Sequence, residues 1–323
     1  MAYQLLIAAK QSGQIYDVTN TTVQIDLRTE RKTAPGKLTF QWIKTGNDVS
    51  FFEGDVVRLQ VDGKTEFYGY VFTKDKNRWD EFTVTCYDSL RYLKANGSYA
   101  FYGRTAAQII QEIGADLQLP IGELADTGYA IPSLIKSNQS CMNIIQEALD
   151  LTLLNTGRVF CLYDNGSGLS LKASDEWLSD TMIGTGSYLT DYQYKTDIDE
   201  GTYNYIKMTR PNEETGMTEA VVVQDSANIA KWGMLQQYIQ VNGDYNTAQL
   251  TAMAQQTLQN VNRRKRTLTV ACLGVPGLRA GQMIRMNVPM LGDINLDQYV
   301  LLETVTHHYQ QDSHTMDFET LEI

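Results

Sequence analysis

The chain has 323 residues, 43% of them hydrophobic and 20% charged, a composition that is typical of a globular protein and excludes a disordered one. A formal net charge of −11 argues against a protein that binds duplex DNA by neutralising phosphates, although an acidic wall would let DNA slide past as cargo. Four scattered cysteines indicate buried thiols in a reducing compartment, and no apolar run reaches the ~20 residues of a membrane helix. We therefore expect a protein of the cytosol that has no contact with a membrane and leaves the cell only when released whole.

Residues 1–100 are predicted to form an antiparallel β meander that closes, or nearly closes, into a small barrel. Alternation places the apolar residues of 56–61 on one face, and Asp62-Gly63 after them is a strong hairpin-turn signal. The aromatic run Phe67–Phe72 and the alternating segment Glu81–Tyr87 follow as two further strands.

Residues 101–190 are predicted to form a mixed α+β domain. Thr105 is a candidate N-cap for a helix with apolar residues at helical spacing, and Ser140 is a candidate N-cap for a second helix. The segments 158–163 and 169–172 flank a glycine-rich turn, which predicts a hairpin.

Residues 191–323 are predicted to return to β structure around one inserted helix. Strands are expected at 204–210 and 219–224, on either side of a turn over 211–216. Apolar residues at i, i+3, i+4, i+7 and i+8 predict the helix over about 247–262. The remaining predicted strands cover 267–273, 282–288, 298–309 and 315–323. The chain is thus predicted to be mainly β, with two β-rich modules bracketing the α+β domain.

No catalytic motif stands out in the sequence. Carboxylates are numerous, but nothing marks any two as a glycosidase pair, and solvated surfaces account for them. The chain has no nucleophile elbow, Walker loop or GxGxxG motif. We therefore expect no catalytic residue, no cofactor and no enzymatic activity.

The three histidines lie close together in the sequence and are candidate metal ligands. His307, His308 and His314 have Asp312 and Asp317 nearby. His307 and His308 would point to opposite faces of a strand, however, and His314 follows a turn. Surface histidines on a hairpin are the favoured interpretation, so no metal site is expected.

The aromatic strand at 67–72 is a candidate interaction surface. Its candidate contact residues are Phe67, Tyr68, Tyr70 and Phe72, although core packing is expected for alternate positions.

A basic run that directly follows the predicted helix over 247–262 is a second candidate contact region. It comprises Arg263, Arg264, Lys265 and Arg266. Three interpretations stay open: cations opposing the dipole at the helix C-terminus, a contact with the acidic surface of a neighbouring subunit, and a nucleic-acid patch. The run is short and lacks interleaved aromatic residues, which weakens the third interpretation.

Several segments of the N-terminal half resemble phage late-control and baseplate hub proteins. Phe52–Val57, then Gly63, then Phe67–Val71 is similar to the N-terminal signature of that family, which ends in "F-x-G-x-V". Thr83–Asp88 resembles the next strand, and Thr105–Ile110 resembles the family's "T-x-x-x-I" helix.

The C-terminal half carries the more specific resemblance. Pro276–Ile284 resembles the motif "G-x-P-x-L-x-x-G-x-x-I", Tyr299–His307 resembles the strand "Y-x-V-x-x-V-x-H", and Thr315–Glu319 resembles the closing strand. The matches run in order over most of the chain, except at about 175–200. They are similar to the late control protein D superfamily, and most of all to the short XkdQ/YqbQ-like hubs of Gram-positive prophages and contractile bacteriocins.

The resemblance implies a structural role. It implies two small antiparallel β-barrels like those of the tail-tube protein, at 1–100 and 191–323, on either side of the α+β domain at 101–190. It also implies a homotrimeric ring in which six barrels match the six-fold tail tube on one face and the three-fold central spike on the other. The implied partners are the tube and spike proteins and other baseplate and LysM-type tail proteins. Assembly would take place in the bacterial cytoplasm, and the product would be a virion baseplate or a released tail-like particle.

Two other functional classes stay open from the sequence alone. One is a tail-associated peptidoglycan hydrolase, and the other is a cell-wall-binding β module. Cleavage of peptidoglycan by the purified chain would indicate the first, and retention on cell walls without self-association would indicate the second.

Overall fold

The first seven strands form one curled antiparallel sheet around a single core. The computed structural model describes residues 2–44, 49–211, 218–241 and 245–321. The strands are β1 (Tyr3–Ala8), β2 (Ile15–Asp17), β3 (Thr22–Glu30), β4 (Lys37–Ile43), β5 (Val56–Val61), β6 (Lys64–Lys76) and β7 (Glu81–Tyr87). Their order in the sheet is β3-β4-β7-β6-β5-β1-β2. Alternate residues of each strand point inward, so that Leu5, Ile25, Phe40, Leu59 and Val84 are all at most 1% exposed.

The two ends of this curled sheet approach each other. The backbone N–H of Val18 donates to the Leu5 carbonyl at 3.0 Å, and the Tyr3 and Tyr309 rings lie 6.0 Å apart. Among the described strands, however, no ladder joins β1 to β3. The predicted meander and its turn at Asp62-Gly63 are confirmed, whereas its closure into a barrel stays a prediction.

The predicted α+β segment has its own hydrophobic core. It contains β8 (Asn96–Arg104), α1 (Ala106–Asp116), β9 (Ile121–Leu124), β10 (Ile131–Ser140), α2 (Cys141–Thr156), β11 (Phe160–Asp164) and β12 (Leu169–Ala173). Thr105 and Ser140 cap the two helices as predicted, each accepting a backbone hydrogen bond from the third helical residue. The hairpin β11–β12 also matches its prediction.

Two further strands continue the chain beyond this segment. They are β13 (Leu178–Gly184) and β14 (Leu189–Asp197), in the region that matched no family segment. Tertiary contacts define a first compact unit that consists of the residues up to Gln193 together with Thr269–Leu321.

Residues Tyr194–Leu268 form a second compact unit around a three-stranded sheet. Its elements are β15 (Tyr205–Pro211), β16 (Thr218–Gln224), α3 (Ser226–Trp232), β17 (Gln236–Gln240) and α4 (Thr247–Val261). Leu250 and Ala254 of α4 pack on Ile206 and Met208 of β15. The predicted helix over about 247–262 is thus present. All but the first residue of the predicted turn at 211–216 lies outside the described residues.

The last strands complete a thirteen-stranded sheet that begins with β1. They are β18 (Lys265–Leu273), β19 (Met283–Leu291), β20 (Ile294–Gln310) and β21 (Ser313–Thr320). The 17-residue β20 is shared: its first half pairs with β19, and its second half lies between β3 and β21. A register shift between Leu302 and Thr304 marks the change of partners. One long strand therefore connects the N-terminal and C-terminal halves of the sheet.

The contacts divide the chain differently from the three predicted segments. The predicted second β module at 191–323 contributes 194–268 to a separate unit, while its last strands join the sheet of the first module. Residues 322 and 323 of the predicted final strand lie outside the described residues. The mainly β architecture is confirmed, and the pair of tube-like barrels stays a prediction. Among the described residues, no helix has the length and apolar character needed to cross a membrane.

Candidate functional site

The aromatic strand β6 presents opposite faces to the core and to the outside. Phe67 is 5% exposed and packs in the core, so it cannot reach a partner in the folded chain. Tyr68, Tyr70 and Phe72 alternate with it and lie half-buried on the outer face. The role of these four residues in an interface remains a prediction, and only the last three reach the surface.

Outside the sheet, the three outer side chains of β6 join two more tyrosines. The Phe72 ring lies 5.4 Å from Tyr87 and 6.0 Å from Tyr92, and Tyr70 lies 5.8 Å from Tyr92. Tyr92 is brought there by the 3₁₀ turn Ser89–Lys94. Such tilted aromatic pairs stabilise one another beyond the area that they bury.

Cations cover this aromatic cluster. The Lys10 Nζ lies 4.9 Å from the centre of the Tyr70 ring, and the Arg91 guanidinium lies 5.4 Å from that of Phe72. Arg58 projects from β5 directly opposite Tyr68 in the ladder. We refer to the whole surface as the cationic aromatic face, which comprises Lys10, Arg58, Tyr68, Tyr70, Phe72, Tyr87, Arg91 and Tyr92.

The basic run lies partly in a strand. Lys265 and Arg266 open β18 and are half-buried, whereas Arg263 and Arg264 are exposed between α4 and β18. The helix itself ends at Val261. The run as a whole is therefore not a set of cations on the last helical turn, and its role in a contact remains a prediction.

A loop at 274–281, which carries the proline-glycine motif of the sequence, is tied to four other segments. We call it the keystone loop. Its Arg279 Nη1 donates to the Asp164 carbonyl at 2.9 Å, and the Gly277 N–H donates to Glu66 Oε2 at 3.1 Å. The Ala280 N–H donates to Thr29 Oγ1 at 3.0 Å. The loop thereby connects β3, β6, β11 and, through Leu278, β20.

Two buried carboxylates lie beside the keystone loop. Asp88 accepts hydrogen bonds from the backbone N–H groups of Gly36 and Leu90, and Asp164 accepts from the N–H and hydroxyl of Ser89. Burial, followed by the charge of Asp164, holds the pKa of Asp88 well above its usual range, and Arg279 opposes that rise. Burial likewise raises the pKa of Glu66.

The space between these charges is too small for a substrate. The cavity that they line has a volume of about 20 Å³, which is enough for one water molecule. Each oxygen of Asp88 already accepts a backbone hydrogen bond. The arrangement can therefore hold segments of the fold together, but it offers no room for a sugar ring between the two carboxylates.

One of the three histidines lies in the core, where the hairpin prediction did not place it. His307 and His308 do point to opposite faces of β20, but His307 is only 1% exposed, so the interpretation as surface histidines was wrong for it. Its neighbours Val305 and Tyr309 are also buried, because that face of β20 covers the core. One ring nitrogen of His307 contacts the Leu278 carbonyl at 2.6 Å, and the other contacts His314 Nε2 at 2.9 Å.

Burial keeps this inner pair of histidines neutral. It lowers the pKa of His307 to about 4 and that of His314 to about 4. Among the described residues, no group of three or more His, Cys, Asp or Glu side chains is arranged to hold a metal ion. The pair therefore packs and orients the keystone loop through Leu278.

His308 is the outward member of the three and lies between two carboxylates. Its Nδ1 is 2.6 Å from Asp26 on β3, and its Nε2 is 2.9 Å from Asp317 on β21. Although burial lowers the pKa of His308, hydrogen bonds and charge from both aspartates raise it above its usual value. When protonated, the ring can donate to both carboxylates and so link three adjacent strands.

Replacing His308 by glutamine should cost stability in a pH-dependent way. A raised pKa in the folded state gives stability that is fully present below the unfolded pKa and is lost as pH rises through the folded pKa. We expect a loss of about 1 kcal/mol at pH 5.5, allowing for solvent screening, and a much smaller loss at pH 9. Urea unfolding of both chains at the two pH values measures this, and an equal loss at both would contradict the ion-pair interpretation.

Sequence reasoning found the aromatic strand and missed most of what surrounds it. Lys10, Arg58 and Arg91 are isolated in the sequence, and only the register of β1, β5 and β6 brings the first two to the aromatic residues. Asp88 belongs to Thr83–Asp88, the segment that resembles a strand of the family, and this resemblance is the sequence signal that points to the buried network.

Comparison with known proteins gives consistent matches over nearly the whole chain. The family model described as YqbQ-like matches residues 25–321. The uncharacterised protein YqbQ of Bacillus subtilis is 31% identical over 93% of this chain and 92% of its own length. The phage-like element PBSX protein XkdQ of the same species is 30% identical over 92% of this chain and 91% of its own length.

Solved structures share the fold at much lower sequence identity. The 43 kDa tail protein of prophage MuSo2 from Shewanella oneidensis superimposes with a TM-score of 0.73 at 11% identity, over 98% of both chains. The c3393 protein of E. coli, a type VI secretion component described as similar to the T4 tail proteins gp27 and gp5, gives a TM-score of 0.55 at 11% identity. That match covers 94% of this chain and 73% of the other. The fold is thus that of phage tail proteins.

Proposed function

The chain belongs to the YqbQ-like family, and from this premise we propose that it is a structural subunit of the baseplate hub of a phage tail or tail-like particle. In this proposal three copies form a ring that joins the six-fold tail tube to the three-fold central spike. The name of its relative XkdQ as part of a phage-like element supports the particle, and the likeness of c3393 to gp27 and gp5 supports the position within it.

The observation that carries the proposal is the shared strand β20. A ring of three can match six-fold symmetry only when each subunit offers two comparable docking elements. β20 supports this because it belongs to both halves of one continuous sheet, with β19 beside its first half and β3 beside its second. Two barrel-like halves in one rigid sheet would hold a fixed mutual orientation, which a docking ring needs.

We also propose that the chain acts without catalysis. The buried carboxylates Asp88 and Asp164 surround a cavity of about 20 Å³, and both already accept hydrogen bonds from the chain itself. Peptidoglycan digestion on a gel would test this, with lysozyme as the positive control. We expect no cleared band. A band that persists after Asp164→Asn would indicate a contaminant or another site, and one that disappears while circular dichroism shows the variant folded would make the chain a hydrolase.

Co-purification tests the partners. The tagged chain, expressed with the tail tube and spike proteins of its own particle, should retain both, together with other baseplate and LysM-type proteins when these are present. Retention of neither tube nor spike would count against the hub position. Assembly in the bacterial cytoplasm followed by release in the virion or particle is part of the same proposal.

A cell-wall-binding module is the second candidate, because one open cleft favours it. The cleft has a volume of about 540 Å³, and its lining includes Trp42, Phe82, Asp75 and Asn77. Trp79 lies in the β6–β7 turn, two residues after the lining residue Asn77, and is 67% exposed. Aromatic rings with nearby polar groups suit sugars. Sedimentation with purified cell walls that is lost in Trp79→Ala would favour this function over the hub.

A further inference from the structure

The cationic aromatic face carries charges that form no salt bridge with the described residues. Among the residues that the structure describes, Lys10, Arg58 and Arg91 have no salt-bridge partner. Arg91 instead stacks over Phe72 and Tyr87, at 5.4 and 6.0 Å from their ring centres. Desolvating these cations against a neutral surface would be costly, so the face is suited to an acidic one.

The rest of the same chain is strongly acidic. The formal net charge is −11, and three positive charges lie on this face, so the remaining residues together carry −14. A second copy of the chain therefore presents the charge that the face lacks. A contact between two different surfaces of identical subunits is the kind that closes into a ring.

A second outward surface of the sheet has the matching character. Leu178 and Met182 on β13 and Tyr299 on β20 are each 43–47% exposed. The ladders place Leu178 in line with Met283 and Leu301, and Met182 in line with Arg285 and Tyr299. The outer faces of β13, β19 and β20 thus form one apolar surface, which we call the β13 face.

Among the described residues, a carboxylate on the β13 face forms no salt bridge. Arg285 and Asp297 lie on it but pair with each other at 3.2 Å. Asp180 is exposed and lies between Leu178 and Met182, where the β13–β19 register shifts, and within the described part of the chain it forms no salt bridge. These three charged residues together leave one negative charge beside the apolar residues. The sign of this charge is opposite to that of the cationic aromatic face.

We propose that the cationic aromatic face of one copy docks on the β13 face of the next copy, with Arg91 near Asp180. The inference rests on the proposed ring and adds the surfaces that close it. Both surfaces combine apolar area with unpaired charge, so their contact would bury aromatic and aliphatic side chains while pairing the charges. Half-buried rings that are already packed against one another lose little freedom on docking.

Charge reversal tests the contact. Arg91→Glu and Asp180→Lys should each weaken self-association of the full-length chain by about tenfold or more in sedimentation experiments at low salt. The double variant should recover most of the association, because the pair is restored with its charges exchanged. Lys231→Glu, the same charge change at an exposed site on α3, is the matched control and should leave association unchanged.

The outcomes separate this inference from the proposed hub function. A trimer that persists in Arg91→Glu and in Asp180→Lys would overturn the docking surfaces while leaving the ring intact. A wild-type chain that stays monomeric at every concentration would also overturn the docking surfaces. The hub function would then be judged separately, by retention of tube and spike proteins.

A covalent link gives an independent readout. The four native cysteines are all buried and unpaired, so they should contribute little background. Tyr92→Cys combined with Met182→Cys should give disulfide-linked dimers and trimers on mild oxidation, seen on a non-reducing gel. Each single variant should stay monomeric on the gel. Linked species from Tyr92→Cys alone would indicate a two-fold contact and overturn the proposed arrangement.

Discussion

Replacing Arg279 by leucine is expected to lower the free energy of unfolding by about 1.5–3 kcal/mol at neutral pH, because it removes a charge-assisted hydrogen bond and the positive charge beside the buried Asp88. The Arg279 guanidinium donates to the Asp164 carbonyl and lies 4.8 Å from the Tyr163 ring centre. Its charge also opposes the rise in the pKa of Asp88, a side chain that is almost fully buried. The loss should appear as a shift of the urea transition followed by circular dichroism.

The cost of Arg279→Leu should depend on pH. A carboxyl whose folded pKa lies above its unfolded pKa loses stability as pH rises between the two values. Without Arg279 the folded-state pKa of Asp88 rises further, so the pH range between its unfolded and folded pKa values extends to higher pH. The difference in stability between wild type and Arg279→Leu should therefore be larger at pH 8 than at pH 5. An equal difference at both pH values would assign the effect to lost packing instead of charge.

Two further variants isolate the charge. Asp88→Asn removes the buried charge while keeping the size, so Arg279→Leu combined with Asp88→Asn should lose less than the sum of the single losses, by about 1–3 kcal/mol. Arg158→Leu is the surface control, because Arg158 pairs with Asp175 and Glu176 in solvent and should cost little. Additive losses would contradict the coupling between Arg279 and Asp88.

Replacing Gly281 by alanine is the second change with a large expected effect. Gly281 has a φ of +91°, which a residue with a side chain rarely adopts, and an added Cβ would lie 2.3 Å from Cys161 Sγ. Backbone strain of about 1–2 kcal/mol and overpacking of about 1–3 kcal/mol should together destabilise the chain by several kcal/mol. Thermal unfolding of the two chains measures the difference.

Gly277 offers a matched control in the same loop. Its φ is +78°, but an added Cβ would meet only Glu66 Oε1 at 3.9 Å. Gly277→Ala should therefore lower the free energy of unfolding through backbone strain alone. In Gly281→Ala the added Cβ would also lie 2.6 Å from Cys161 Cβ, so Cys161→Gly, which removes both atoms, is the relieving change. Compared with Cys161→Gly alone, Cys161→Gly combined with Gly281→Ala should lose only the strain part. An equal loss of stability in Gly281→Ala and Gly277→Ala would show that close packing against β11 is not the reason why position 281 requires glycine.

Local signals in the sequence predicted local structure well. The capping residues Thr105 and Ser140, the turn at Asp62-Gly63 and the helix of 247–261 depend on a few neighbouring residues, and all four are present. Alternation along 67–72 also separated the inward Phe67 from its outward neighbours. These features need no knowledge of the rest of the chain.

Features that depend on strand pairing between segments far apart in the chain could not be predicted from local sequence patterns. β13 pairs in parallel with β19, which lies about a hundred residues further on, so its exposed apolar residues look like an irregular segment in the sequence. Alternation placed His307 and His308 on opposite faces, but which face covers the core depends on the partners of β20. The separate unit at Tyr194–Leu268 was likewise hidden, because β16 and β17 both pair with β15 instead of joining the large sheet.

The central claim is that three copies of this chain form one ring between a tail tube and a spike. Light scattering coupled to size exclusion, on the chain purified with its tube and spike proteins and then freed of them, tests it most directly. The account predicts a mass of about 109 kDa, three times the 36.4 kDa of one chain. The account would be contradicted by one, two or six copies of the chain, if that number is found both in the complex with the partners and after their removal.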